Sequence, residues 1–203
     1  MQQNKTLVSC AYLGSVSYYQ SILQAPGYII EKQENYVKQS HRNRCVIIGA
    51  NGPLSLSIPV CKPSGEKIKT ADITTSDTEQ WQRIHWQAIC SAYNSSPFFE
   101  YYSDYFNPFY SQPINNLFDF DCKLQELIFK LLKIPQQVEF TDEYSKTTEY
   151  RDCRDFDFLK RGKDVEFKEY YQVFAHKHGF IENASIIDLL FNEGPRAKEF
   201  LIY

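Results

Sequence analysis

The chain reads as an α/β or α+β fold, a single domain over residues 1–203 in which a mixed sheet carries a β-hairpin near residues 44–60 and is packed by several helices. Three observations point there. A strand-like run, a tight turn and a helical pattern open the chain. An Asn51-Gly52 pair sits between two alternating segments. Two long stretches beyond residue 80 keep apolar residues at helical spacing.

In chain order, residues 6–11 suit a short buried strand. Residues 12–15 turn it into a segment with Val16, Tyr18, Tyr19, Ile22 and Leu23 on one helical face, ending before Pro26-Gly27. Residues 28–32 form a second strand, so a parallel pair with a crossover helix is expected. The single Gly14 of the first turn supplies neither a dinucleotide fingerprint nor a P-loop. Asn-Gly favours a type I′ turn, and residues 44–50 and 54–60 are the expected hairpin arms.

The hairpin is preceded by a polar loop in which Lys38, His41, Arg42 and Arg44 fall within seven residues, interleaved with Gln39, Ser40 and Asn43. Two readings stand side by side. One is a solvated basic connector. The other is an anion site, because Arg forks match phosphate or carboxylate, Lys adds a point charge and His titrates near neutrality. Against a net charge of −3, this local surplus stands out.

Beyond the hairpin, residues 61–70 read as an exposed loop and 71–75 as a short strand. Ser76, Asp77 or Thr78 caps a helix whose face carries Trp81, Ile84, His85, Ala88, Ile89 and Tyr93. His85 is either a core histidine with one ring nitrogen satisfied or a general acid/base aimed at the basic loop. The aromatic stretch 95–110 follows no simple period and reads as an irregular or short-helical wall. A helix from residue 115 or 116 to 133 follows, with Asp119 and Asp121 near its start, then a strand at 138–140.

Residues 141–168 mix both charge signs, with Arg151, Arg154 and Asp155 as solvated groups. Asp155 and Asp157 alone make a poor metal site, and no metal is expected. Residues 170–174 look strand-like and 176–179 a turn. Ser185 and Asp188 suggest a capping-box variant opening a helix at 186–191, closed by Gly194-Pro195, with a last helical turn at 197–203.

The pI near 5.8 argues against a nucleic-acid partner. No segment approaches the roughly 20 apolar residues of a membrane span, and the polar start lacks a leader pattern, so a cytoplasmic protein is expected. The six cysteines lie too far apart for a zinc pattern or a disulfide framework, and reduced thiols are expected.

Three ordered blocks carry a resemblance: NYVKQSHRNRCVI with LSIPV, then WQRIHWQAICSAYNSSPFF, then YYQVFAHKHGFIENASIIDLLFNEGP. Together they resemble the WbqC-like protein family over nearly the whole chain. Lys38, Asn43 and Arg44 match its polar loop, Trp81, His85 and Tyr93 its helix block, and Asn183, Ser185, Asp188 and Gly194 its terminal block. Many members open with a His-Gln-Pro-type segment where Ser9-Cys10-Ala11-Tyr12 stands here. The resemblance implies a place in O-antigen or surface-polysaccharide biosynthesis, with glycyl or aminoacyl transfer to a sugar as the suggested chemistry.

The site expected on this reading uses His41 or His85 as base and Lys38, Arg42, Asn43, Arg44 and Tyr93 against an anionic small-molecule donor, a nucleotide-sugar or an acyl donor. No cofactor can be named. Two other roles remain open: a non-catalytic partner of a polysaccharide-assembly protein, and a glycan-binding module.

Overall fold

A computed structural model describes residues 5–61, 67–76, 80–134, 138–154 and 166–202. Its strands are β1 (Thr6–Val8), β2 (Tyr28–Ile30), β3 (Arg44–Gly49), β4 (Gly52–Ser57), β5 (Val60–Cys61), β6 (Thr74–Thr75), β7 (Val138–Phe140) and β8 (Arg151–Asp152). The helices are α1 (Val16–Leu23), α2 (Trp81–Tyr93), α3 (Phe99–Ser111), α4 (Leu117–Leu131), α5 (Ala175–His178) and α6 (Ile186–Glu193), with 3-10 turns at Thr70–Asp72 and Gly194–Phe200.

β1, α1 and β2 form the expected strand–helix–strand unit, with Leu7 paired to Ile29 in a parallel register. β7 joins beyond β2 and β8 beyond β1, giving a four-stranded sheet in the order β7-β2-β1-β8 with every pairing parallel. The antiparallel strands keep to sheets of their own. β3 and β4 close around Asn51-Gly52, where Gly52 has φ +97°, and β5 pairs with β6. A parallel sheet needs both faces covered. Tyr19, Tyr28 and Phe129 pack together on this one, and one continuous core runs from there through Trp81 and Tyr93 to Phe191.

Sequence and structure part at several elements. The aromatic stretch is a continuous 13-residue helix, α3, because Phe99, Phe106 and Tyr110 recur on the face it buries, while Pro108 is tolerated in the last turn. Residues 170–174 make no strand. Tyr170 and Gln172 instead turn inward onto Asp188, and that bond takes Asp188 away from any capping box, just as the Ser185 hydroxyl donates to the Leu13 carbonyl at 2.7 Å. Gln80, in a left-handed conformation, is the residue at the start of α2, and Asp77 and Thr78 lie outside the described residues.

Gly194 ends α6 with φ +55°, and a Cβ there would meet the Phe98 ring at 2.5 Å. Both the backbone angle and the ring require glycine.

Candidate functional site

Open α/β sheets take ligands outside the carboxyl ends of their parallel strands. Here Ser9 follows β1, Glu31 follows β2, Thr141 follows β7 and Arg154 lies two residues beyond β8, and all four enter one hydrogen-bonded network. Glu31 accepts from Arg154 Nη1 at 3.0 Å, from Thr141 Oγ1 at 2.5 Å and from the Gln33 N–H at 2.8 Å. Arg154 also forks onto Asp152, with Nη2 at 2.6 Å from Oδ2. That pairing holds the Asp152 carboxyl below its usual range. Arg154 is thus a buried counterion, whereas a solvated group was expected of it. Asp155 and Asp157 lie outside the described residues.

The loop preceding β3 is fastened to the same edge. Glu34 receives Arg42 Nε at 2.7 Å and Nη2 at 2.6 Å, and Ser9 Oγ accepts from Arg42 Nη2 at 2.6 Å while donating to Glu34 at 2.9 Å. Arg42 is 4% exposed, so its fork is committed to Glu34 and Ser9 rather than open to solvent. Asn43 is likewise internal, its amide donating to the Ile58 carbonyl at 2.9 Å. The His41 ring is buried 6.2 Å from the Tyr18 ring, and its carbonyl accepts the Tyr12 N–H at 2.9 Å.

Charge counting assigns the rest. Glu31, Glu34 and Asp152 against Arg42 and Arg154 leave the network with no positive surplus. Burial also drives the nearby Asp121 carboxyl well above its usual range, with a hydrogen bond from the Cys10 thiol pulling the other way. The surplus lies with Lys38, which is exposed, and Arg44, whose Nε donates to Ser57 Oγ at 2.9 Å. Neither pairs with a carboxylate among the described residues.

Ser57 is where loop and helix meet. His85 is buried on α2, with Nδ1 2.9 Å from the Tyr12 hydroxyl, which is in turn 3.0 Å from the Tyr110 hydroxyl. Burial lowers the His85 pKa to about 4, opposed by a hydrogen bond to the Ser57 backbone. Nε2 is the ring nitrogen left for that bond, so at neutral pH Nδ1 is an acceptor and Tyr12 its donor. The structure therefore gathers His41, Arg42, Asn43, Arg44 and His85 around Ser9, Tyr12 and Ser57. Tyr93 belongs elsewhere: its hydroxyl accepts from the Ile48 N–H at 3.2 Å, beside Asp188.

Sequence reading gave no site role to Ser9, Tyr12, Glu31, Glu34, Tyr110 or Arg154. Glu34 carried a signal, an acid eight residues before Arg42 in a basic segment; the others depend on contacts between residues far apart in sequence, 33 for Ser9–Arg42, 73 for Tyr12–His85, 98 for Tyr12–Tyr110 and 123 for Glu31–Arg154. Among the described residues no three His, Cys, Asp or Glu side chains gather as a metal site, and no helix is long and apolar enough to cross a membrane.

The conformations around the site are held under constraint. Leu13 has φ +43° and Gln39 φ +55°, next to Tyr12 and Lys38, and such angles persist in non-glycine residues only where the surroundings fix them. Leu13 is fixed through Ser185, and the adjoining Gly14 carbonyl accepts the Ile186 N–H at 2.8 Å.

Uncharacterized protein Rv1507c of Mycobacterium tuberculosis (strain ATCC 25618 / H37Rv) is 26% identical over 227 aligned positions, which span 97% of this chain and 96% of that protein. No solved structure matches. The sequence profile of the WbqC-like protein family matches residues 10–153 and 146–200, so strands β2 to β8, the basic loop and the α2 histidine all fall inside it, and the chain belongs to that family.

Proposed function

We propose that this protein is a transferase of surface-polysaccharide biosynthesis that takes an anionic activated donor, a nucleotide-sugar or an acyl donor, at the carboxyl edge of its parallel sheet. The observation that carries the reading is the fastening of the basic loop across that edge. Arg42 is committed to Glu34 and Ser9, which leaves Lys38 and Arg44 of the same loop as cations without carboxylate partners among the described residues. Arg42 and Asn43 position the loop; Lys38 and Arg44 meet the donor's phosphate or carboxylate.

In glycyl or aminoacyl transfer, a sugar amine or hydroxyl attacks the donor's acyl carbon. A C–N or C–O bond forms, the bond to the leaving group breaks, and the departing anion is met by Lys38 and Arg44. The acceptor's proton passes to His41. His85, with its pKa near 4, is too weak a base for that step at neutral pH and serves as the acceptor that orients Tyr12.

Thermal shift against nucleotide-sugars, nucleoside triphosphates and acyl donors tests this. A donor at about 100 times its dissociation constant adds roughly 2.7 kcal/mol, or about 5–10 °C in a chain of this size. Lys38→Ala and Arg44→Ala should each remove the shift without lowering the unliganded midpoint. A shift that survives both substitutions refutes the assignment.

A second reading, a non-catalytic partner of a polysaccharide-assembly protein, is favoured by α3. Tyr101 and Tyr105 are 72% and 50% exposed on one face, beside a cleft of about 540 Å³ that Lys130 and Lys133 flank. Stoichiometric pull-down of one assembly protein, lost on Tyr101→Ala, together with no donor shift, would decide for it.

A further inference from the structure

Two adjoining clefts, of about 340 and 440 Å³, meet at Gln112 and Pro113 between the start of α2, the end of α3 and the start of α4. Each falls within the roughly 300–1,000 Å³ that small-molecule sites occupy. Their lining differs in chemistry from the sheet edge. Arg83 and Lys123 are set against Asp119, so no single sign of charge prevails, and side-chain amides crowd the rim.

Trp81 and Tyr110 line the second cleft at its floor. The Trp81 indole N–H is buried and meets no acceptor among the described residues. Buried donors are almost always paired, so an unmet one beside a cleft marks a place where a ligand can supply the acceptor. Tyr110 is the outer end of the chain His85–Tyr12–Tyr110. His85 Nδ1 takes the Tyr12 proton, Tyr12 oxygen then takes the Tyr110 proton, and the lone pairs of Tyr110 remain for a donor from the cleft.

Above this floor, Gln80, Gln112 and Asn115 are exposed, and among the described residues their side-chain amides make no hydrogen bond, so each offers donors and an acceptor. Phe109 adds an apolar wall.

We propose that the joined cleft is a second binding site, for an uncharged hydroxyl-rich ligand of the sugar class. A sugar ring presents what this surface lacks: hydroxyls that both donate and accept for the rim amides, an oxygen acceptor for the Trp81 N–H, a hydroxyl proton for Tyr110, and a C–H face for Phe109. Such a ligand is the acceptor that the transfer above requires, but its binding needs no donor and does not rest on that reading.

The chain has two tryptophans, so its indole region in a proton–nitrogen correlation spectrum holds two signals, and Trp81→Phe identifies its own by removing it. The probes are methyl glucoside, methyl galactoside and N-acetylglucosamine, with glucuronate and inorganic phosphate as anionic controls. The expected result is a saturable displacement of the Trp81 signal by at least one neutral sugar. Trp81→Phe, Tyr110→Phe and the exposed Gln112→Ala should each weaken that affinity, followed on backbone signals, by about two- to tenfold, the value of one hydrogen bond. Lys38→Ala and Arg44→Ala should leave it unchanged, so failure at the donor edge and failure here are told apart. No displacement by any neutral sugar, displacement by glucuronate or phosphate alone, or an affinity indifferent to all three cleft substitutions overturns the proposal.

Discussion

Two buried groups should pull the stability of this protein in opposite directions in mild acid. His85 has its pKa lowered from 6.5 to about 4 by burial. Between those values the unfolded chain carries the proton and the folded one does not, so this contribution is present above pH 6.5 and is lost as pH falls toward 4. Asp188 has its pKa raised from 3.8 to about 6, again by burial, although Tyr170, Gln172 and Tyr93 hydrogen-bond it and pull the value down. There the folded state holds the proton, so the contribution is present below pH 4 and is lost as pH rises toward 6. At about 1.4 kcal/mol per pH unit, each is worth on the order of 3 kcal/mol, with opposite slopes across the same window. Chemical denaturation of the wild type, His85→Gln and Asp188→Asn at half-unit steps from pH 4 to 7 separates them. Relative to wild type, His85→Gln should lose stability as pH rises from 4 to 6.5 and Asp188→Asn should gain it, each by about 3 kcal/mol. Taking differences cancels every other titrating group. A flat difference for His85→Gln would mean that its ring is protonated in the fold or open to water, and the Tyr12–His85 assignment would fall with it.

Arg42→Ala leaves Glu34 buried without its counterion and should cost about 3–5 kcal/mol in denaturant melts; Lys38→Ala, at an exposed position, should stay within about 0.5 kcal/mol. Gly194→Ala forces a side chain into the left-handed region and against the Phe98 ring, so a loss of more than about 1 kcal/mol is expected in the same assay, with Gly179→Ala, where no atom lies within 4 Å, as the control for backbone angle alone. All six cysteines are free thiols. A thiol reagent should label exposed Cys61 first under native conditions and reach buried Cys10 and Cys45 only on unfolding, as timed mass spectrometry would show.

What could be read from the sequence was what depends on near neighbours. The Asn51-Gly52 hairpin, the first parallel unit and helices α1, α2 and α4 follow from turn chemistry and apolar spacing within windows of a few turns. α3 was obscured because aromatic residues lie on all its sides, and only the packing of Phe106 and Tyr110 shows which face is internal. The site failed to show for a related reason. A basic loop looks alike whether its arginine meets solvent or Glu34, and Arg154 lies 123 residues from Glu31. Residues 170–174 had the composition of a strand, but what they satisfy is the carboxylate of Asp188.

The position of β8 has a consequence for synthesis of the chain. β1 sits at the centre of the parallel sheet, flanked by β2 from the first 30 residues and by β8 at Arg151–Asp152. As the chain leaves the ribosome, β1, α1, β2 and the fastened loop can assemble early, with Arg42 already on Glu34, but Glu31 has no counterion until Arg154 is made. The carboxyl edge is therefore closed by a segment from the last quarter of the chain, and a nascent chain stopped before it exposes one side of β1 and an unpaired Glu31. Long-range parallel pairing of this kind is slow and leaves unpaired strand edges open to association, so that exposure ends only once the segment from Arg151 to Arg154 has been made.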